Sequence, residues 1–143
     1  MDDKDKQIVS LLTQNARLPV ATLAKRAGLA RSTLQARLDR LETTGVIAGY
    51  TLRLGAEARA RRIRTTVLLV IDLRSQPAIV SRLKAMPEVE TVHTTSGRFD
   101  LILGLATATT DALDTLLDRI GEIPGVRSTE SLIHLATKID RGL

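Results

Sequence analysis

The stretch LAKRAGLARSTLQARLDRL, residues 23–41, holds two helical rhythms broken by a single glycine. Leu23 and Ala27 share an inward face on a short helix that Pro19 can start and Gly28 can stop. After the break at Gly28-Leu29-Ala30, residues Ala30, Leu34, Leu38 and Leu41 recur at i, i+4, i+8 and i+11, an inner seam about three turns long. Two helices joined by a three- or four-residue turn containing glycine make a helix-turn-helix, whose second helix reads DNA. Opposite the leucine seam, Thr33, Ala36, Arg37 and Arg40 fall at i, i+3, i+4 and i+7, with Arg31 and Ser32 at the amino end and Lys25 on the preceding helix. Small Ala36 permits close approach, arginines pair with guanine edges or phosphates, and hydroxyls serve either. A helix N-terminus adds backbone donors for a phosphate. Surface arginines are commonly no more than solvated, but a basic stripe on the second helix of such a pair reads as a DNA-binding face.

Working outward, Asp2 or Asp3 can cap a first helix in which Ile8, Leu11 and Leu12 form one buried stripe ending near Asn15. Gly45 ends the third helix, and Val46-Ile47-Ala48-Gly49-Tyr50-Thr51-Leu52-Arg53 reads as a small two-stranded wing. Residues 1–54 are thus expected to form a winged helix-turn-helix. Residues 55–62, GAEARARR, show no clear apolar stripe and are expected to be a linker. Charge follows the same division. Residues 1–62 carry twelve Lys/Arg and six Asp/Glu, a balance of +6, whereas residues 63–143 carry nine and ten, a balance of −1. A basic half joined to a near-neutral half places the polyanion partner, double-stranded DNA, on the first.

Residues 63–143 repeat themselves. Arg82-Leu83-Lys84-Ala85-Met86-Pro87-Glu88-Val89 and Arg119-Ile120-Gly121-Glu122-Ile123-Pro124-Gly125-Val126 align at an offset of 37, each a helix end, a proline and a strand start. Before each lie an apolar strand (63–73, 99–106) and an amphipathic helix (76–86, 111–123); after each lies a strand (89–95, 126–135). The order βαββαβ is the ferredoxin-like sandwich, so the whole chain is α+β. Right-handed crossovers bring both helices to one face of an antiparallel sheet. Ile63, Val67, Leu69, Ile71 and Leu73 point one way on the first strand and Leu68 and Val70 the other. The uncovered face, with Leu68, Val70, Ile133 and Leu135, calls for a partner, and a homodimer that pairs sheets would present two recognition helices to a palindromic site.

Composition closes off other classes. An apolar content of 43% in 143 residues supports a folded core rather than a disordered tail. Aromatics are 1%, so base stacking on aromatic platforms is not expected. With no cysteine there is no disulfide, thiolate metal site or cysteine nucleophile. His93 and His134 lie 41 residues apart without an HxxxH motif or a carboxylate cluster, so neither metal nor cofactor is expected. No apolar run is long enough to span a membrane, and the acidic start is unlike a signal peptide, which together predict a cytoplasmic protein.

Four motifs carry a resemblance: Leu23-Ala24-Lys25-Arg26-Ala27-Gly28-Leu29, Arg37-Leu38-Asp39-Arg40-Leu41-Glu42, Gly45-Val46-Ile47-Ala48-Gly49-Tyr50 and Ser96-Gly97-Arg98-Phe99-Asp100. From about Asp3 to Leu143 the chain resembles the Lrp/AsnC regulators, the "feast/famine" transcription factors. The resemblance implies a ligand-sensing domain of the RAM type, an amino acid or related metabolite as effector, and dimers that assemble into octamers, with control through oligomeric state. It places the effector at the turn of Gly97, Phe99 and Asp100, led by Thr95 and Ser96, with Arg98 selecting among acidic effectors and Ser131 on a neighbouring wall. Glycine N–H groups suit an α-carboxylate and Asp100 an α-ammonium. Where the family usually has serine and proline this chain has Ala30 and Arg31, a lost N-cap worth about 1 kcal/mol. Two rivals share features with this reading. One is a sirohaem-decarboxylase-like enzyme on the same two-domain fold, and the other is a non-specific architectural DNA binder.

Overall fold

The computed structural model describes residues 1–141. They form two compact units, divided between Arg53 and Leu54. Among the described residues no helix is long and apolar enough to cross a membrane.

The first unit is three helices, α1 (Asp3–Gln14), α2 (Val20–Ala27) and α3 (Arg31–Thr43). Asp2 caps α1 through a reciprocal capping box: its side chain accepts from the Asp5 backbone N–H while the Asp5 carboxylate accepts from that of Asp2. Helix α2 follows Pro19 and ends at Gly28, whose φ of +66° is the left-handed conformation of a helix stop. Ile8, Leu12, Leu23, Ala27, Leu34 and Leu41 close over one another as the core. From α1, Lys4 Nζ donates to the Ala27 carbonyl at 2.6 Å and Gln7 to that of Arg26 at 3.2 Å, satisfying carbonyls that the end of α2 leaves open. The expected two-stranded wing is not formed: residues 46–54 contain no strand. A lone two-stranded hairpin is marginal in water. Instead the segment is tied back to α3, by Ile47 N–H to the Leu41 carbonyl and by the Tyr50 hydroxyl to Glu42 at 2.8 Å. Burial and that carboxylate push the Tyr50 phenol up to about 12.

The second unit begins with a one-turn helix, α4 (Ala56–Arg59), inside the segment expected to be a linker. Arg59 holds it by donating to the Leu54 carbonyl at 2.7 Å and by pairing with Asp140. Then come β1 (Ile63–Ile71), α5 (Gln76–Lys84), β2 (Val89–Thr94), β3 (Leu101–Thr107), α6 (Thr110–Gly121) and β4 (Val126–Ile133). All pairings are antiparallel in the order β2-β3-β1-β4, the ferredoxin-like arrangement expected of the repeat. Val67, Leu69 and Ile71 of β1 and Leu101, Leu103 and Leu105 of β3 pack against Ile79 and Leu83 of α5 and Leu113, Leu116 and Ile120 of α6. Leu73, expected inward on the first strand, lies instead in a 3-10 turn after it and is 67% exposed.

The other sheet face carries Leu68, Val70 and Ile102, each partly exposed. Its β4 contribution differs from expectation. Register shifts between Val70 and Ile71, so that Ile71 pairs with Val126 but Val70 with Ser128, leaving Arg127 as an extra residue. One extra residue reverses the alternation of a strand. Leu132 therefore shares the open face with its partner Thr66, Ile133 pairs with Thr65 on the helix side, and Leu135 lies beyond the strand.

Candidate functional site

Arg31, Ser32 and Thr33 open α3 and are exposed, as is Lys25 on α2. Among the described residues none of these four side chains makes a hydrogen bond or ion pair. Ala30 stands at the N-cap with φ −65° and ψ 148° and offers no side-chain cap, so the helix starts at Arg31 and its first backbone N–H groups lack a side-chain acceptor. Free cations, hydroxyls and open N–H groups at one helix end form an anion-seeking surface.

Arg37 and Arg40 are arranged differently. Arg37 Nη1 lies 2.6 Å from Asp2 Oδ2 and 2.9 Å from Asp5 Oδ1, and Arg40 Nη2 lies 2.7 Å from Asp5 Oδ2. The Asp5 side chain is 0% exposed, that of Arg37 25% and that of Arg40 57%. Both arginines were expected on a DNA-facing stripe, yet Arg37 is committed to α1 and Arg40 has one nitrogen there. The Arg37 guanidinium, with the Asp5 backbone N–H, holds the Asp2 carboxyl at about 2. Burial pushes Asp5 up, but the Asp2 N–H, Arg37 and Arg40 outweigh it and leave its carboxyl below the ordinary range. These two acids are the functional neighbours that sequence reading missed. Their signal was the D-x-x-D capping spacing, which reveals a helix start but not what else the carboxylates hold.

In the second unit the turn between β2 and β3 brings Thr95 to Asp100 together. Thr95 N–H donates to the Asp100 carbonyl at 3.1 Å and its hydroxyl to the Phe99 carbonyl at 2.7 Å. Gly97 has φ +106°, a left-handed value that suits glycine, and Ser96 and Gly97 are exposed. The Arg98 guanidinium sits 5.1 Å from the Phe99 ring centroid. Phe99 and Asp100, expected to begin the strand, belong to the turn, and β3 starts at Leu101. Asp100 Oδ2 accepts from Ile71 N–H at 2.9 Å, just past the last β1–β3 pair, Leu69 with Leu101. Ser131 is not brought to the turn. It pairs with Val67 on β4, separated from β3 by β1, about 10 Å at normal strand spacing. His134 bonds Thr66 Oγ1 through Nε2 at 2.8 Å, and His93 faces Ile102 across β2 and β3.

A family model for the Lrp/AsnC ligand binding domain matches residues 54–143, and one for the AsnC-type helix-turn-helix domain matches residues 1–42. The chain is 32% identical to the HTH-type transcriptional regulator FL11 of Pyrococcus furiosus, over 94% of this chain and 89% of that one. It is similar to the solved structure of Escherichia coli AsnC, with a TM-score of 0.88, 26% identity, and coverage of 100% of this chain and 97% of that one. A Neisseria meningitidis regulator solved as an L-Met complex shares the fold at a TM-score of 0.87 and 23% identity, over 98% and 93% of the two chains. The relatives bear the names of transcriptional regulators, which sets aside the tetrapyrrole-enzyme reading.

Proposed function

Because this chain belongs to the Lrp/AsnC family of transcriptional regulators, we propose that it reads specific operators through the amino end of α3 and answers to an amino acid at the 95–100 turn. Residues 1–54 serve DNA, and residues 63–143 serve sensing and assembly. The observation that carries the DNA part is the set of uncommitted groups, Arg31, Ser32 and Thr33 at the exposed start of the second helix of the pair and Lys25 in the last turn of the first. Arg40 adds its remaining donors, since a guanidinium has five N–H groups and one nitrogen is spent on Asp5.

For the effector, Gly97 leaves its backbone open to a carboxylate, and Asp100 keeps Oδ1 without a hydrogen bond among the described residues, ready for an ammonium. The L-Met complex of the Neisseria relative supports an amino acid as the ligand class. The open sheet face around Leu68, Val70, Ile102 and Leu132 is the surface on which two copies pair, and dimers associate further into octamers in the cytoplasm, where effector binding shifts their assembly.

Selection of duplexes from a randomised pool by the full chain tests the DNA reading: a two-fold consensus with half-sites about one helical turn apart, or a multiple of it, is expected. Equal binding to every duplex at matched salt would replace it with architectural binding. Thermal-shift screening against the twenty amino acids tests the effector reading, with a rise in melting temperature expected for one or a few of them.

A further inference from the structure

Four carboxylate oxygens in the first turn of α1 carry two jobs at once. Asp2 Oδ1 takes the Asp5 backbone N–H at 2.9 Å and Asp2 Oδ2 takes Arg37 at 2.6 Å. Asp5 Oδ1 takes Arg37 at 2.9 Å, and Asp5 Oδ2 takes Arg40 at 2.7 Å together with the Asp2 backbone N–H at 3.0 Å. The capping box that starts α1 is thus also the socket that grips α3. At about 100° of rotation per residue, Arg37 falls roughly 60° from Leu34, at the margin of the packed seam rather than opposite it. Turning Arg37 outward to a phosphate would strip a counterion from a carboxylate with no exposed surface, a change proteins tolerate poorly. Helix α3 also has no side-chain cap of its own, and this socket ties its middle, at Arg37, and its last turn, at Arg40, to α1.

On the DNA-binding reading above, we infer that Arg37 is a positioning residue rather than a DNA contact: with Asp2 and buried Asp5 it locks α3 against α1 and sets the angle at which Arg31, Ser32, Thr33 and Arg40 meet the groove. Arg40 is shared, one nitrogen on Asp5 and the rest exposed. The two arginines of one face therefore do different work, and two acids on another helix contribute to base discrimination without touching DNA.

The sign of one substitution separates this from simple electrostatics. Asp2→Asn keeps an N-cap, because Asn caps as well as Asp, but it removes a negative charge beside a polyanion site. Charge alone predicts tighter DNA binding; loss of the socket predicts weaker discrimination. The full chain and its Arg31→Ala, Arg37→Ala and Asp2→Asn variants are titrated against the duplex that the wild type selects, and against the same duplex with one base pair changed, over a range of salt. Arg31→Ala should flatten the slope of log affinity against log salt by about one, as expected for a lost phosphate contact. Arg37→Ala and Asp2→Asn should both leave that slope at its wild-type value and lower the preference for the selected duplex about tenfold. A slope reduced by about one in Arg37→Ala with preference intact, or tighter binding with unchanged preference in Asp2→Asn, would overturn the inference. Failure of the wild type to enrich any sequence is a separate result: it removes the sequence-specific reading, and the inference with it.

Discussion

Asp100 has an observed structural role beside the recognition role proposed for it. One oxygen closes the end of β1 by accepting from Ile71, and the other is the oxygen proposed for an effector's ammonium. Truncation to alanine would confuse the two roles, because it leaves the Ile71 donor unsatisfied. Asp100→Asn keeps an oxygen acceptor for Ile71 and removes the charge. We expect it to fold and bind DNA as the wild type does but to lose the thermal shift given by the active amino acid; a full shift would remove Asp100 from the site. Asp2 carries a prediction of the opposite kind. Its carboxyl sits at about 2 in the folded chain against an ordinary 3.8, so its stabilising contribution is complete above about pH 4 and is lost as pH falls toward 2. Circular dichroism melts across pH 2–5 should show the wild type losing more stability on acidification than Asp2→Asn.

At the level of elements, helix α3 lacks a side-chain cap, as α2 and α5 also do, and in α3 the lack can be repaired by one substitution. Ala30 already has the extended backbone of an N-cap residue, so Ala30→Ser should raise unfolding free energy by about 1 kcal/mol in chemical denaturation. The helices and strands of both units were legible because their apolar residues recur at helical and alternating spacings, and because the 37-residue repeat tied the two halves of the second unit together. What was not legible depends on partners distant in sequence. Arg37 meets Asp2 across 35 residues and Asp5 across 32, so its local setting on a basic stripe could not reveal its commitment. Strand order is likewise hidden in local sequence: within one chain it sets β1 between Ser131 and the turn. The wing was misjudged for a related reason: Gly49 and its β-branched neighbours favour extended backbone, but nothing in the first unit pairs with it.

For the whole molecule, the asymmetry of the sheet matters most. One face is closed by α5 and α6, and the other presents Leu68, Val70, Ile102 and Leu132 around Gly104. A Cβ at Gly104 would come within 2.5 Å of Thr91 Oγ1, so this face is kept low at its centre. If two copies pair there, Val70→Glu should shift light-scattering mass toward the single chain at micromolar concentration while circular dichroism stays that of the wild type, since Val70 lies outside the helix-covered core. An unchanged mass would move the dimer contact elsewhere.

The extra residue at Arg127 makes the last strand a matter of odd and even. With the bulge kept, inserting a single residue just after Arg127 would swap Leu132 with Ile133 across the sheet and exchange the lining of both surfaces along the rest of β4, whereas deleting Arg127 would remove the bulge and leave both facing as they do. Inserting two would leave each side chain facing as before. Insertions in this strand are therefore constrained by parity, and a single added residue would rewrite the surface proposed to join the subunits.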